Sequence, residues 1–408
     1  MQLIQINCYV NYYVNYPFGI TQILQNKLNN LSNNQSNINN ADFIYTRLQN
    51  NTYKNKLPSS KISYYKNANY VNNFLDSKGK LCITADNCLA NKYNFVDLVN
   101  KNLGNKKYIP KSYPFERNSN HSLNQFKQFN YSKQKYILKP ENDFSRGGIT
   151  VIHQYIDIIN WLNQYKEHQK WVLQEYIINP LLIDNKKFHF RNYILMIKRP
   201  HSEDLELYMY NKYFVLCAPI TYNLEHKDLK GHLTGAKYCD VRLVTDNLMK
   251  KNNIDFSKIK KQMIEITKDL GYLSKKELFH IYINQTNYHL FACDIICDTK
   301  YQCHLLEVNN GGIGTEMNNL ESKMCPNGGS LHDTHTITKL FEDIIDIVLK
   351  KNTNDDFIKL QIGQEIPLEN FSNSNSNFNL NHNNVYIYLY IIIILLFCFY
   401  YFIKNKRK

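Results

Sequence analysis

The sequence predicts a mixed α/β protein with a C-terminal transmembrane helix, and three observations lead to this fold class. Short apolar segments typical of strands occur at 136–139, 171–178 and 188–198, and the last of them alternates around Arg191. Two further segments, 259–270 and 337–349, repeat apolar residues at the spacing of amphipathic helices. The third observation is an uncharged run near the C-terminus that is long enough to cross a bilayer.

Composition divides the chain into four parts. Residues 1–130 are expected to form an N-terminal α/β lobe, in which 25–40 is an asparagine-rich insert. Residues 131–350 contain most of the predicted strands and helices, and we expect them to form the core. Residues 351–384 are rich in serine and asparagine, as is typical of a linker, and residues 385–403 are the predicted transmembrane helix.

The run at 385–403 has nineteen residues without a charge, close to the ~20 that a spanning helix needs. Tyrosines lie at both of its ends, like the aromatic belt of a membrane helix. A buried core helix is the alternative interpretation. The N-terminus lacks the basic region and apolar run of a signal peptide. We therefore expect a single-pass, C-terminal membrane anchor that leaves the body of the protein in the cytoplasm.

Charge and cysteine content restrict the partners and the compartment. The formal net charge of +14 favours an acidic partner, although the charge also serves solubility. No segment mixes basic and aromatic residues in the manner of a nucleic-acid module, so we expect no nucleic-acid partner. The ten cysteines include no CxxC pair and no zinc-finger spacing, which indicates reduced thiols in a reducing compartment.

A hairpin near the end of the core contains the most informative polar residues. Two apolar strands, 288–297 and 302–309, flank a turn that we expect to centre on 299–300. In that register Asp294 lies opposite Leu305.

Three oxygen-bearing side chains share one face of this hairpin. Asp294, Glu307 and Asn309 point to the same side, whereas Leu306 and Val308 point to the other. In this register Asp294 and Glu307 are diagonal neighbours roughly 7–8 Å apart, close enough to share a cation. Two carboxylates and an amide suit Mg²⁺, which prefers hard oxygen ligands. A hairpin with a solvated polar face is the alternative.

A strand and a glycine turn earlier in the core form a candidate phosphate site. Lys139 ends a strand, and Arg146, Gly147 and Gly148 follow in a turn. Glycines allow a backbone to approach a phosphate closely, and the two cations can bind its oxygens. An ordinary turn is the alternative.

Two other strands contain candidate ligand contacts. The strand that ends at 174–177 exposes backbone groups that can pair with an adenine edge. Arg191 lies in the middle of an apolar strand and needs an anionic partner, which is either a phosphate or a structural carboxylate.

Together and in this order, these segments resemble the tubulin–tyrosine ligase family of ATP-grasp enzymes. The matching segments are YILKP (136–140), SRGGI (145–149), QEYI (174–177), NPLLID (179–184), KFHFRNY (187–193), HLT (232–234), Asp294 and LEVN (306–309). The resemblance covers roughly residues 80–348.

The resemblance implies an ATP-grasp core at 131–350 that binds ATP and Mg²⁺ and an activity as an ATP-dependent carboxylate–amine ligase. Such a ligase joins an amino acid to a protein carboxylate through an acyl phosphate. The implied acceptor is an acidic protein such as a tubulin tail. The implied catalytic residues are Arg191 and Lys139. The implied ATP-binding residues are Lys139, Arg146, Gly147, Gly148, Gln174, Glu175, Tyr176, Ile177, Lys187 and Thr234. The implied metal ligands are Asp294, Glu307 and Asn309.

The sequence departs from the family pattern at the substrate end. His189 replaces an Asp, Gly235 replaces an Asn, and Asn211 stands where an Arg is expected for the amino-acid carboxylate. The glycine turn is also one residue shorter than usual. Two alternatives therefore stay open, namely a catalytically impaired ATP-grasp binding module and an ATP-grasp ligase for a small-molecule carboxylate.

Overall fold

A computed structural model gives the fold of the chain. It describes residues 12–15, 43–46, 62–65, 89–103, 106–141, 148–199, 201–225, 228–234, 240–277, 287–310, 334–348 and 356–362. The chain divides into two compact units, Met1–Gly363 and Gln364–Lys408, and the second unit lies outside the described residues. The sequence-predicted domain boundaries at 130, 350 and 384 stay predictions.

The described elements alternate between strands and helices, which confirms the mixed α/β class. The strands are β1 (Tyr12–Asn15), β2 (Phe43–Thr46), β3 (Ile62–Tyr65), β4 (Ser112–Glu116), β5 (Tyr136–Pro140), β6 (Thr150–Ile152), β7 (Lys170–Glu175), β8 (Leu182–Ile183), β9 (Lys186–Lys198), β10 (Leu205–Tyr210), β11 (Phe214–Cys217), β12 (Asp240–Leu243), β13 (Asn287–Cys297), β14 (Cys303–Asn310) and β15 (Phe357–Leu360). The helices are α1 (Lys92–Asn102), α2 (Asn120–Lys127), α3 (Tyr155–Gln164), α4 (Asp246–Lys251), α5 (Phe256–Glu277) and α6 (Thr334–Val348).

The larger of the two sheets in the described residues has β9 and β13 at its centre. These strands are antiparallel neighbours, and β10, β11 and β14 extend the sheet on either side. Residues of β9 alternate between two cores, because side chains along a strand point to opposite faces. Phe190 and Ile194 pack under α1 and α5, whereas Tyr193 and Leu195 pack under α6. An apolar strand buried on both faces is therefore the scaffold for the site.

A smaller sheet of four strands, in the order β4-β7-β5-β6, packs on α2 and α3. Its core is aromatic: Trp171 is fully buried, and Phe115 meets Phe126 edge to face with ring centroids 5.0 Å apart. This sheet approaches the β13–β14 hairpin at Lys139 on β5, whose Nζ lies 3.5 Å from the carbonyl oxygen of Leu306.

The predicted hairpin is confirmed, but its predicted register is wrong. Asp294 pairs with Glu307 rather than Leu305, and the register shifts between Asp294 and Ile295 so that Leu306 is an extra residue. The turn is also one residue longer than expected, with Tyr301 in the left-handed region at φ 62°. Leu305, not Leu306, therefore packs in the core with Val308, and the two carboxylates are direct cross-strand partners.

The predicted membrane localisation is corrected. Within the described residues no helix is long and apolar enough to cross a membrane. Helix α5 has 22 residues but alternates apolar and charged positions, and α6 has 15, fewer than the ~20 that spanning requires. The run at 385–403, on which the prediction rested, lies outside the described residues.

Helix α5 continues six residues beyond Gly271, where the sequence pattern predicted its end. A Cβ at this glycine would lie 2.6 Å from Leu207 Cδ2 and 3.2 Å from Ile362 Cγ1. The glycine therefore lets the helix approach β10 closely, at the cost of lower helix propensity.

We predict that Gly271→Ala destabilises the protein, although alanine is the better helix former by ~1 kcal/mol. Overpacking against the fully buried Leu207 is expected to cost ~1–3 kcal/mol, measured by urea unfolding. The exposed Lys261→Ala on the same helix is the control. Equal or greater stability of Gly271→Ala would contradict the packing argument, and Leu207→Ala in the same chain should relieve the clash.

Candidate functional site

A small pocket lies between the small sheet and the β13–β14 hairpin. Its lining comes from the start of α1, from β5 and β7, and from β14. The lining residues are Leu89, Ala90, Lys92, Phe95, Val96, Lys139, Val172, Gln174, Leu306, Glu307 and Val308. Three of them, Lys139, Gln174 and Glu307, were predicted from sequence as site residues.

Lys139 extends from β5 into this pocket and is almost fully buried. Its ammonium donates a hydrogen bond to Gln174 Oε1 at 2.8 Å. Burial lowers the pKa of Lys139 to about 8, against the opposing charge of Glu307 and with a further lowering by Lys92. The protein alone therefore offsets only part of the positive charge on the Lys139 ammonium.

Gln174 is oriented by a chain of hydrogen bonds that begins in the segment before β4. The hydroxyl of Ser112 donates to the carbonyl of Pro110 at 2.6 Å, and the amide nitrogen of Gln174 donates to Ser112 Oγ at 2.9 Å. This arrangement turns the Gln174 carbonyl oxygen towards Lys139. Ser112 was not predicted as a site residue, because it belongs to no recognisable motif.

The predicted adenine segment lies at the end of β7, between β4 and β5. The backbone N–H of Glu175 donates to Lys111, and that of Tyr176 donates to Lys135. The carbonyl of Tyr176 accepts from the side chain of Gln134 at 3.0 Å. These three backbone groups already have partners within the protein.

Lys187, near the start of β9, forms a second buried cationic centre. Its ammonium donates to the hydroxyl of Tyr176 at 2.7 Å, and that hydroxyl shares a hydrogen bond of 2.9 Å with His232 Nδ1. Burial, together with the nearby charge of Lys139, holds the pKa of Lys187 well below its usual range. The sequence analysis predicted Lys187 and Tyr176 as ATP-binding residues, but it did not predict the hydrogen bonds that connect them to His232.

These two lysines share an unusual electrostatic property. In the described part of the chain neither ammonium forms an ion pair with a carboxylate, although each is more than nine-tenths buried. Buried cations are normally paired, because an isolated charge loses its hydration without compensation. An anionic ligand would supply the missing charge.

Asp294 is the most heavily bonded carboxylate of the site. Arg191, its direct partner across the sheet, donates from Nε to Oδ1 at 2.9 Å and from Nη2 to Oδ2 at 2.8 Å. Asn309 Nδ2 donates to the same Oδ2 at 3.1 Å. Burial acts to raise the pKa of Asp294, but the charges of Arg191 and His189 hold it well below its usual range.

Glu307 stands beside Asp294 and completes the carboxylate pair. Asn309 Nδ2 lies 3.4 Å from Glu307 Oε1, and Lys92 Nζ lies 3.5 Å from Glu307 Oε2. Lys92 opens α1 after the helix cap Asn91, and it is a site residue that the sequence analysis missed. A lone lysine at a helix start has no distinguishing pattern.

The three predicted metal ligands converge, because the Asn309 amide contacts both carboxylates. Two carboxylate groups and one amide, which can turn its oxygen inwards, form an oxygen donor set that fits Mg²⁺. Within the described residues no three acidic, histidine or cysteine side chains form a ready-made metal cluster. Arg191 and Lys92 now hold the carboxylates that a cation would take.

His189 lies on the same face of β9 as Arg191. Its Nδ1 shares a hydrogen bond of 2.6 Å with Thr234 Oγ1, which places the predicted residue Thr234 beside the site. Its Nε2 lies 3.4 Å from Asp294 Oδ1 and forms no hydrogen bond in the described part of the chain.

The remaining predicted residues lie at the start of a described segment or outside the described residues. Gly148 has φ 68°, and its carbonyl accepts from Trp161 Nε1 at 2.6 Å. Arg146, Gly147 and Gly235 lie outside the described residues.

Asn211, in contrast, is held on the other face of the sheet. Its Oδ1 accepts from Lys260 of α5 at 2.6 Å. Helix α5 covers the face on which Cys293 and Ile295 are buried, so Asp294 between them points the opposite way.

The fold and the site define a mixed α/β protein in which, among the described residues, two buried lysines lack carboxylate partners and one of them, Lys139, shares a pocket with Glu307. The chain belongs to the tubulin–tyrosine ligase family, whose sequence model matches residues 64–327.

Individual relatives are distant. Tubulin glycylase 3B of Drosophila melanogaster is 23% identical over 221 residues, covering 48% of this chain and 28% of that protein. The inactive polyglycylase TTLL10 of Homo sapiens is 26% identical over 178 residues, covering 38% and 25%. A probable tubulin–tyrosine ligase of Schizosaccharomyces pombe is 27% identical over 177 residues, covering 40% of each chain. The matches thus span between about a quarter and two fifths of these relatives.

The lowered pKa of Lys139 predicts a specific pH dependence of stability. Between pH ~8 and ~10.5 the unfolded chain binds the proton that folded Lys139 has lost, so stability should rise with pH in this window. Relative to Lys139→Met, the free energy of unfolding of the unliganded wild type should gain about 2–3 kcal/mol across it. Urea titrations at a series of pH values measure this difference. The exposed Lys133→Met is the control, and a flat difference for Lys139→Met would contradict the prediction.

Proposed function

We propose that the chain is an ATP-grasp ligase that uses ATP to join an amino acid to a protein carboxylate, with its core at 131–350. One observation supports this most directly: in the described residues the buried Lys139 and Lys187 form no ion pair with a carboxylate, and Lys139 shares a pocket with Glu307, the cross-strand partner of Asp294. A site with excess buried positive charge on one side and carboxylates on the other suits a polyphosphate and its cation.

In this proposal the chain's cations bind the phosphates. Lys139 and Lys187 would bind as point charges, and the predicted glycine turn with Arg146 would add backbone N–H groups and a guanidinium. The segment 174–177 would border the base. Thr234, whose hydroxyl shares a hydrogen bond with His189, would face the nucleotide.

Asp294, Glu307 and Asn309 would hold Mg²⁺. When bound, the cation offsets negative charge that develops on the transferred phosphoryl group. The planar guanidinium of Arg191 could bind the transferred phosphoryl group with two hydrogen bonds, once Arg191 no longer pairs with Asp294. The role of the protein is then to position charge, which is the main contribution to catalysis in phosphoryl transfer.

The proposed reaction has two steps. A carboxylate oxygen attacks the γ-phosphorus of ATP, the bond to ADP breaks, and an acyl phosphate forms. The amine of the second substrate then attacks the acyl carbon, inorganic phosphate leaves, and the amine loses a proton as the amide forms.

The proposed acceptor is an acidic protein segment, such as a tubulin tail. Relatives named as glycylases and tyrosine ligases support amino-acid addition to a protein, and the net charge of +14 suits an acidic partner. Asn211 replaces the arginine that the family pattern places against the amino-acid carboxylate, and it lies on the other face of the sheet. This carboxylate would therefore need a basic side chain from elsewhere. We therefore propose that the amino acid need not be tyrosine.

A second candidate function is a binding module without catalysis. The observation that favours it is the saturation of Asp294 by Arg191 and Asn309, which opposes cation binding. A relative named as inactive supports the same alternative. A ligase for a small-molecule carboxylate would instead be identified by stimulation of ATP turnover by metabolites over polypeptides.

We predict that Asp294→Asn and Glu307→Gln each abolish Mg²⁺-dependent ATP turnover, because each removes a charge that a cation requires. Turnover is measured by ADP release with an acidic polypeptide and a mixture of amino acids present. Glu265→Gln, on the outer surface of α5, is the matched control and should retain wild-type turnover. Unchanged turnover in both site variants would exclude the proposed cation site, and no turnover in the wild type would favour the binding module.

The substrates are tested by mass spectrometry. The full chain is incubated with Mg-ATP, detyrosinated tubulin or other acidic proteins, and isotope-labelled amino acids. A mass increase equal to an amino acid minus water on an acceptor side chain or C-terminus supports the ligase. ATP turnover without any modified polypeptide, but with a modified metabolite, would contradict a protein acceptor.

A further inference from the structure

We propose that Cys297 and Cys303 form a reversible disulfide across the β13–β14 hairpin, which makes this hairpin a redox-sensitive element of the fold. Cys297 is the last residue of β13 and Cys303 the first residue of β14, and the two are direct cross-strand partners. The same hairpin holds Asp294 and Glu307. The disulfide would form whether or not the chain is a ligase.

The backbone around the two cysteines has the geometry that a cross-strand disulfide needs. The N–H of Asp298 donates to the carbonyl of Gln302 at 3.0 Å, one step further towards the turn, and the N–H of Cys303 donates to the side chain of Gln262 rather than to Cys297. The cysteines are therefore a non-hydrogen-bonded pair. In such pairs the Cα atoms lie roughly 4.5 Å apart, within the range of about 4.4–6.8 Å found for disulfides.

Both thiols point into the same core. Cys297 and Cys303 are 1% and 0% exposed, and both belong to the apolar cluster that packs under α1 and α5. Burial holds the pKa of Cys297 well above its usual range, and a hydrogen bond with the Cys303 thiol raises this pKa further. The two thiols are thus neighbours, but they are poor nucleophiles while the hairpin is closed.

Access to the thiols is controlled by the turn of the hairpin and by Gln262 of α5. The cysteines end the strand ladder next to a turn in which Thr299 and Lys300 are exposed. Gln262 donates to the carbonyl of Tyr301 at 2.6 Å and accepts from the N–H of Cys303 at 3.0 Å, so it fastens the turn to the helix. Local opening of these few bonds would expose the pair without unfolding the sheet.

The oxidant is a small-molecule disulfide such as oxidised glutathione. The thiolate of one cysteine attacks a sulfur of this disulfide, a mixed disulfide forms, and one small thiol leaves after taking up a proton. The thiolate of the second cysteine attacks the protein-bound sulfur, the protein disulfide forms, and the second small thiol leaves. Two protein thiols are oxidised and one small disulfide is reduced to two thiols. In a reducing compartment such a disulfide is transient, as is typical of redox sensing.

The test treats the full chain with oxidised glutathione, in urea from zero to above the unfolding midpoint, and maps the cysteines by trypsin digestion and mass spectrometry. Trypsin cleaves after Lys300, so the disulfide joins two peptides that dithiothreitol separates. The linked peptides should persist in Cys293→Ala, which removes the other cysteine of the first peptide, and disappear in Cys297→Ala. Absence of the link between Cys297 and Cys303 in the wild type, or its formation only above the unfolding midpoint, would overturn the proposal.

Two rates test the control by Gln262 and the effect of the disulfide. Gln262→Ala should form the disulfide about tenfold faster than the wild type, because it removes two hydrogen bonds between α5 and the turn, whereas the exposed Lys261→Ala should not. Oxidation should slow hydrogen exchange at the amides of Asp298 and Tyr301 at least about tenfold, and dithiothreitol should reverse this. Equal oxidation rates in Gln262→Ala and wild type would overturn the control by Gln262, and equal exchange in both redox states would overturn a redox-sensitive hairpin.

Discussion

The bidentate pair between Arg191 and Asp294 is the constraint on which the centre of the molecule depends. Both residues are buried in central, mostly apolar strands, and each needs the other for charge compensation. Because they are direct cross-strand partners, the pair also fixes the register of β9 against β13. A shift by one residue would place a charged side chain in the core under α5. The same contact therefore specifies the sheet and places the functional candidates on one face.

The two halves of the site are supported independently, and their charges are opposite. The small sheet supplies Lys139 and its orienting partner Gln174, whereas the hairpin supplies Asp294 and Glu307. Where the halves approach each other, Lys139 Nζ lies 3.5 Å from the carbonyl oxygen of Leu306. A ligand that carries both a polyphosphate and a cation would join them more strongly than the protein does, since it adds charge of the sign that each half lacks.

Sequence periodicity predicted the long apolar strands because burial on both faces of β9 leaves a continuous apolar pattern. It also placed Asp294, Glu307 and Asn309 on one face. The register failed because an extra residue at Leu306 and a longer turn each shift the pairing, and neither interrupts the apolar pattern. Lys92 and Ser112 were missed since each contacts the site across a large sequence separation, without a motif. The membrane assignment rested on hydropathy at 385–403, outside the described residues, and within the described residues no helix is long and apolar enough to span a membrane.

The two-faced sheet also limits where a second substrate can bind. Side chains on the α5 face, such as Asn211 with its partner Lys260, are separated from Asp294 by the sheet itself. A cation that binds an amino-acid carboxylate must therefore come from the Asp294 face or from a loop at its edge. On that face Arg191 and Lys92 are already close to carboxylates, and both lose these partners if a cation binds there. Cation binding would thus free two basic side chains at once, next to the position where an acyl phosphate would form. In the proposed function, the binding of the cation, the nucleotide and the second substrate would therefore be linked through the same few charges.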